Sequence, residues 1–294
     1  MAGSKYVYVK RFEMPDSLLP GTFTVVRIDG HGFHRFSTEH SFTRPNDERA
    51  LKLMDQAAQS VMEEYSDIIL AFGQSDEYSF LLRKDTKLHN RRHSKILSLL
   101  LSLFTSSYTF YWSKYFHEVE LKYPPSFDAR IVLYPSAKEV RDYFAWRQVD
   151  THINNLYNTA FWALVQQGGE STTQAHALLK GTQSAQKHEL LFSRFGINYN
   201  HIDVRFRKGS VLVREVQTHS TPGQSMYLTA ATASPGSCDS ASDNVPAVGA
   251  ANVASREIRG VTGRREKVIR SVRVRHDDIV GNTFWEARPE LLEG

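Results

Sequence analysis

One cysteine, Cys238, is all that this chain of 294 residues contains. No intrachain disulfide can form and no cysteine-rich zinc site can be built, so a reducing intracellular compartment, cytoplasm or nucleus, is expected. Also missing is an apolar run long enough to cross a membrane. The most apolar stretch, Ile96 to Trp112, is interrupted by six Ser or Thr residues and flanked by Lys95 and Lys114. It falls short of the roughly 20 apolar residues a spanning helix needs and reads as a helix buried on most sides. The first residues, Met1 to Tyr6, carry no apolar signal core. There is no internal repeat and no convincing nucleophilic triad, and the only cysteine sits in a low-complexity stretch, a poor catalytic setting.

Charge is present but unevenly spread. The formal net charge is +4, while residues 256–275 hold eight Lys or Arg against Glu257 and Glu266, a local +6 that leaves −2 for the remainder. A basic segment beside a near-neutral body suggests an anionic partner such as nucleic acid; a solvated face would look the same. Residues 216–255 contain no Lys or Arg and many Ser, Ala, Thr, Gly and Pro. Such a composition cannot support a core and is expected to be a disordered insertion.

Along the chain, Thr22 to Asp29 reads as a strand, followed by a two-glycine loop or short helical turn, Gly30-His-Gly-Phe-His-Arg-Phe-Ser37. Leu51, Met54, Ala58, Val61 and Tyr65 then form one helical stripe. Asp67 to Gly73 and Glu77 to Arg83 read as two strands meeting at a tight turn. A helix over about 88–117 and a fourth strand, Phe127 to Tyr134, complete the order strand, helix, strand, strand, helix, strand. This order predicts an α/β (α+β) fold of ferredoxin-like βαββαβ type, in which the first and third strands lie side by side. Beyond it, helices are expected from Ser136 to about Val149, from His152 to Gln167, from Thr172 to Lys180 and from Ser184 to Phe195. A hairpin is expected over Val204 to Val213, turning at Lys208-Gly209, and a strand around Val272 and Val274. The domain division is 1–135 for a catalytic core and 136–215 for a helical region and hairpin completing the body. Residues 216–255 form the insertion, and 256–294 a basic C-terminal segment packing on that body.

This topology brings Asp29, at a strand end, towards Asp76 and Glu77, at the hairpin tip. Either position alone would pass for a turn or cap residue. Carboxylates forced together raise a pKa or collect a hard cation. Asp29 and Asp76 could share two Mg²⁺ ions, with the Gly30 carbonyl as a further oxygen ligand, and a two-ion site points to phosphoryl or nucleotidyl transfer. The loop Gly30, His31, Gly32, Phe33 and His34 lets backbone N–H groups approach phosphate, with Arg27, His34, Arg35 and Arg44 adding positive charge. The Gly-Lys-Ser/Thr ending of a P-loop is absent. Arg92 and Lys95 share a face at the start of the long helix, where cations oppose the helix dipole; they could hold a triphosphate or an RNA 5′-phosphate. His152 and Asn155 are three apart on one helix and can face one substrate, and Lys187 lies in the same helical region. Arg273 and Arg275 are expected to contact RNA phosphates.

Several stretches together resemble the tRNA-His guanylyltransferase family. They are Arg27-Ile-Asp-Gly-His-Gly-Phe-His-Arg-Phe36, Phe42-Thr-Arg-Pro-Asn-Asp47, Phe72-Gly-Gln-Ser-Asp-Glu-Tyr-Ser-Phe80 and His152-Ile-Asn-Asn-Leu-Tyr-Asn158. Lys187-His-Glu-Leu-Leu-Phe192, Asn198-Tyr199 and the region of Phe284-Trp285 extend the resemblance over about residues 1–215 plus the tail. The resemblance implies a polymerase-type palm working in the 3′-to-5′ direction, with ATP and GTP as substrates, tRNA-His as partner, two Mg²⁺ ions per site and a homotetrameric assembly. It implies Asp29, Gly30 and Asp76 as metal ligands, residues 29–34 with Ser75 and Asp76 as the nucleotide site, and His152, Asn155 and Lys187 on the tRNA side, where Arg27 is a further candidate. Arg44 stands where the family commonly has lysine, and His31 where it tends to have a longer basic residue. A nucleotide cyclase on the same topology and a non-catalytic RNA-binding protein are the other readings.

Overall fold

The computed structural model describes residues 4–218, 256–259 and 265–293. Two compact units form, one of Met1–Arg214 with Val272–Gly294 and one of Glu215–Ser271. The first carries the site. Its elements begin with β1 (Phe23–His31), α1 (Phe33–Glu39), α2 (Glu48–Glu64), β2 (Ile68–Gln74), β3 (Glu77–Leu82), α3 (His93–Phe110), α4 (Trp112–Tyr115) and β4 (Ser126–Tyr134). They continue through α5 (Ala137–Gln166), α6 (Thr172–Leu179), α7 (Ser184–Phe195), α8 (Val204–Lys208) and the start of β5 (Ser210–Thr218). In the second unit β6 (Arg256–Arg259) pairs antiparallel with β7 (Arg265–Arg275). A last short helix, α9 (Thr283–Glu286), belongs to the first unit. The expected disordered insertion lies, from residue 219 to 255, outside the described residues, and so do the side chains of the basic stretch before Ser271.

Adjacent strands run in the order β4-β1-β3-β2-β5, with antiparallel pairing throughout. β1 and β3 are neighbours, as the expected strand order requires, and β1 is paired on both edges. Strand alternation splits the side chains between two faces. Val26, Ile28, Tyr78, Phe80 and Leu82 pack with Leu53, Met54, Ala57, Ala58 and Val61 of α2 and Ile96, Leu100, Phe104 and Tyr108 of α3. Phe23, Val25, Leu70, Phe72 and Leu81 pack on the other face with Val140, Tyr143 and Phe144 of α5 and with Ile279, Phe284, Trp285 and Leu291. A third cluster joins the far half of α5 (Leu156, Ala160, Phe161, Leu164) to Ala175, Leu179, Leu191 and Tyr199.

Three expectations need correction. The helix placed at 88–117 is a 3-10 turn, Leu88–Arg91, followed by α3 and α4, which are separated at Tyr111. The two helices expected from Ser136 to Gln167 are one. Asp150-Thr151 contains no breaker, and the Thr151 hydroxyl donates to the Arg147 carbonyl at 2.9 Å, inside the helix it was expected to end. At 30 residues α5 spans about 45 Å, which lets it cover the sheet with one half and organise α6 and α7 with the other. The hairpin at Val204–Val213 is instead α8 followed by β5. Asp203 caps α8 by accepting from the Arg205 N–H at 2.8 Å, and Gly209, at φ +75°, turns the chain into β5. After β1 the chain takes the helical of the two forms expected there, α1, entered through Gly32 at φ +68°.

A buried polar knot ties the helical region to the sheet. Asp55 of α2 accepts from Tyr78 Oη (2.7 Å), Arg205 Nη1 (2.6 Å) and Ser210 Oγ (3.1 Å). Burial pushes its carboxyl up, and the Tyr78, Ser210 and Arg205 contacts work against that push. Breaking a buried pair from one side leaves an uncompensated charge, so Asp55→Ala is expected to cost about 3–5 kcal/mol in urea unfolding. A cost below about 1 kcal/mol would show that the knot is not holding these elements.

Candidate active site

Register places the carboxylates. Asp29 lies opposite Glu77 across the β1–β3 pair and opposite Asp128 across the β1–β4 pair. Facing residues of antiparallel strands share a face, so Asp128, Asp29 and Glu77 form one row. Asp76 enters from the two-residue turn between Gln74 and Glu77, where Ser75 is held at φ +49°, a conformation uncommon for a residue with a Cβ. The Gly30 N–H donates to the Asp76 carbonyl at 3.0 Å. A Cβ at Gly30 would lie 2.4 Å from the Phe33 ring and 2.9 Å from Asp76 Cβ. Only glycine permits this approach of β1 to the turn.

The carboxylates are not equivalent. Glu77 is buried and neutralised. Both its oxygens accept from Arg147 Nη1, at 3.1 and 2.9 Å, and Arg27 Nε stands 3.8 Å away, an ionic contact too long for a hydrogen bond. Burial raises the Glu77 carboxyl, Arg147 and Arg27 lower it, and Asp29 raises it again. Asp76 has no such support. Burial pushes its carboxyl above the ordinary range, the Ser75 hydroxyl pulls it back, and the charge of Asp29 pushes it up further. Among the described residues neither Asp29 nor Asp76 is in an ion pair, because the adjacent guanidinium groups of Arg27 and Arg147 are engaged by Glu77.

Two half-buried carboxylates without a counter-cation, beside a backbone that comes close enough to offer a carbonyl, fit a hard divalent ion. No cluster of three or more His, Cys, Asp or Glu side chains of metal-binding geometry exists among the described residues. A cation at Asp29 and Asp76 would therefore complete its shell with carbonyl, water and substrate oxygens, which is the habit of Mg²⁺ rather than of an all-protein cage.

The carboxylates open into a cavity of about 1130 Å³. Ser75, Phe33, His34, Arg44 and Asn155 line it together with Asp29, Asp76 and Glu77. Phe33 contributes less than expected, because its ring is buried against Phe36 and Phe127. Arg44 donates to Ser37 Oγ (2.9 Å) and Thr38 Oγ1 (3.0 Å) and lies over the Trp162 ring. His31 is exposed and, with Gly32, lies outside the cavity lining.

Other candidates stand elsewhere in this chain. Arg92 pairs with Asp16 at 3.1 Å, and Lys95 is exposed one turn further along α3. Both lie at the end of α3 away from Tyr108, the α3 residue that reaches the cavity; Lys95 is roughly 20 Å from it by helical rise. Their shared face was legible, but their end of the helix was not. Arg27, expected on the tRNA side, is largely buried beside Glu77. His152 and Asn155 bracket Tyr199 but line different cavities. Asn155 bonds Asn46 (2.8 Å) and the Tyr199 hydroxyl (3.0 Å) in the large one. His152 lies in a smaller cavity of about 270 Å³ with Arg207 and Lys208, where burial, then His188 and Arg207, lower its pKa. Lys187 donates to the Thr182 carbonyl at 2.7 Å. Arg273 and Arg275 are exposed, the latter paired with Asp277. Sequence reasoning missed Arg147. Its signal was an arginine continuing the apolar stripe Val140, Tyr143, Phe144, where a cation is buried only against a partner.

Residues 6–135 match the family model described as tRNAHis guanylyltransferase, and residues 138–281 match the one described as Thg1 C terminal domain. The tRNA(His) guanylyltransferase of Neurospora crassa is 48% identical over 296 residues, covering 100% of this chain and 97% of its own. The crystal structure of tRNA(His) guanylyltransferase from Saccharomyces cerevisiae is 50% identical with a TM-score of 0.68, over 71% of this chain and 93% of that one. A bacterial tRNA(His) guanylyltransferase (Thg1)-like protein solved in complex with GTP shares the fold, with a TM-score of 0.59 at 16% identity over 97% of this chain and 95% of its own. A mixed α/β body with an antiparallel sheet and carboxylates at its strand ends is thus that of an enzyme, a nucleotidyltransferase. The chain belongs to the tRNAHis guanylyltransferase family.

Asp76, with burial raising its carboxyl and no ion pair to offset it, carries a stability cost. A carboxyl whose folded pKa is raised favours the folded state below its unfolded pKa, and that contribution is lost as pH rises through the folded pKa. Asp76→Asn is therefore expected to stabilise the metal-free protein at pH 7.5 by on the order of 1 kcal/mol. The advantage should shrink towards pH 4. Urea unfolding of both proteins with a chelator present checks this, and a variant less stable than wild type at pH 7.5 would contradict it.

Proposed function

We propose that this chain adds a guanosine to the 5′ end of tRNA-His. The observation that carries the reading is the convergence of Asp29 and Asp76, without a counter-cation, at one side of a cavity large enough for two substrates. Family membership supplies the reaction. The RNA 5′-monophosphate first attacks the α-phosphorus of ATP, releasing pyrophosphate and leaving an adenylylated end. The 3′-hydroxyl of GTP then attacks the RNA 5′-phosphorus; the new phosphodiester forms as the bond to AMP breaks. Hydrolysis finally removes pyrophosphate from the added nucleotide.

Asp29, Asp76 and the Gly30 carbonyl would hold two Mg²⁺ ions, which when bound would acidify the attacking group and stabilise charge on the leaving oxygens. The backbone at Phe33 and His34, with Ser75, would approach nucleotide phosphates, and Arg44 at the cavity wall would add positive charge. Glu77, held by Arg147, would position the end of β1 rather than ligate. Asn155 in the cavity, and His152 with Arg207 in the smaller one, would form the tRNA side, with Lys187 nearby on α7. We read the order β4-β1-β3-β2 as a ferredoxin-like palm, with 1–135 as catalytic core, 136–215 completing the body and 256–294 adding a basic C-terminal segment. Assembly as a homotetramer in an intracellular compartment belongs to the same proposal.

Labelled GTP incubated with 5′-monophosphorylated tRNA-His tests the reading. Incorporation is expected to require RNA, Mg²⁺ and ATP, whereas a cyclic product from GTP alone would mark a cyclase. Asp29→Ala and Asp76→Ala should each reduce incorporation by ~10³-fold or more with an unchanged circular dichroism spectrum. Near-normal turnover in either would sink the metal assignment.

A further inference from the structure

One buried donor in the wall of the large cavity has no acceptor. Tyr108 of α3 lines that cavity and is wholly buried, and among the described residues its hydroxyl has no hydrogen-bond partner. A buried O–H left unpaired costs free energy comparable to a lost hydrogen bond, so its position calls for a reason. Its ring is held by Phe33, Phe36, Trp112 and Phe127, which fix its direction and offer the hydroxyl no strong acceptor. Phe33 links it to the carboxylate turn. That ring stands edge-on to Tyr108 at 6.0 Å, and a Cβ at Gly30 would meet both Phe33 and Asp76. Burial, then the charges of Asp76 and Asp47, push the phenol up, so it stays protonated and serves only as a donor.

Of these two carboxylates one is already filled. Asp47 Oδ1 accepts from the Arg49 N–H (2.9 Å) and Arg49 Nε (3.0 Å), and Oδ2 accepts from the Thr43 N–H (2.9 Å) and Arg49 Nη2 (2.7 Å). Asp76 is bonded by the Ser75 hydroxyl and its own backbone alone. A carboxylate has about four lone-pair sites, so Asp76 keeps acceptor capacity that Asp47 lacks.

We propose that Tyr108 is a positioning residue of the metal site, its hydroxyl donating to Asp76 once that carboxylate holds a divalent cation. This rests on the metal reading above. A carboxylate that ligates a cation is in turn hydrogen-bonded, and that outer bond decides which lone pair faces the ion. Tyr108 suits the task because it comes from a packed helix and belongs to the main core cluster, whereas Ser75 sits in the turn itself. The unpaired hydroxyl and the under-bonded carboxylate satisfy each other, and the loaded site is tied to α3. In this role Tyr108 touches neither ion nor substrate.

The test titrates full-length protein, without nucleotide or RNA, with Mn²⁺ alone, a hard cation of the same oxygen preference that is visible by electron paramagnetic resonance. Tyr108→Phe removes only the hydroxyl. It is expected to weaken Mn²⁺ binding about 10-fold. Its urea midpoint in the presence of a chelator should be unchanged or slightly higher, since an unpaired donor has been removed. Unchanged Mn²⁺ affinity would overturn the proposal. A lower midpoint in chelator would also overturn it, because the hydroxyl would then already be bonded in the metal-free protein. Asp76→Ala separates the two readings. Mn²⁺ binding that does not depend on Asp76 would refute the metal assignment and the proposal with it. Binding lost in Asp76→Ala but intact in Tyr108→Phe would refute the proposal alone.

Discussion

The antiparallel pairing of β1 with β3 is the constraint on which the site depends. It sets Asp29 opposite Glu77, one residue from the turn that carries Asp76, and Gly30 lets the two chain segments touch. Like charges brought this close repel, and burial adds to the cost. The strands on either side absorb that cost because β1 is bonded along both edges and both sheet faces are covered. The site is stiff where it is electrostatically unfavourable.

The arginines explain why only two of the three central carboxylates remain open. Arg147 and Arg27 close on Glu77 from α5 and β1, so its charge is balanced inside the protein. The same contact docks α5 on the sheet. Because α5 is unbroken, what anchors its first half at Glu77 also sets the direction of its second half, which carries Asn155 and Trp162 into the same cavity. A local ion pair thus fixes the geometry of a cavity wall several turns away.

Much of this was legible in residue order. Alternation and helical stripes located β1 to β4 and α2, and the order of elements implied that Asp29 and Asp76 would meet. Composition flagged residues 216–255 as unlike the body. The failures share a cause: local pattern does not report which neighbour a side chain will find. Arg205 and Arg207 alternate like a strand, yet Asp203 starts a helix there. Thr151 sits where a cap could, yet its hydroxyl bonds back within α5. Arg92 and Lys95 share a face, yet which end of the sheet that face lies on depends on how α3 crosses it.

The sequence by itself determined the chemistry available: carboxylates without thiols, a glycine at the one position where β1 must approach the turn, and a concentration of basic residues near the C-terminal end. Spacing along the chain sufficed for that because each such signal is local. Only the tertiary structure decided which charges cancel. Glu77 and Asp76 are adjacent in sequence and identical in formal charge. One is neutralised by an arginine 70 residues away, and the other is left facing Asp29. That difference is electrostatic and acts through space, so no reading of neighbours along the chain could assign it.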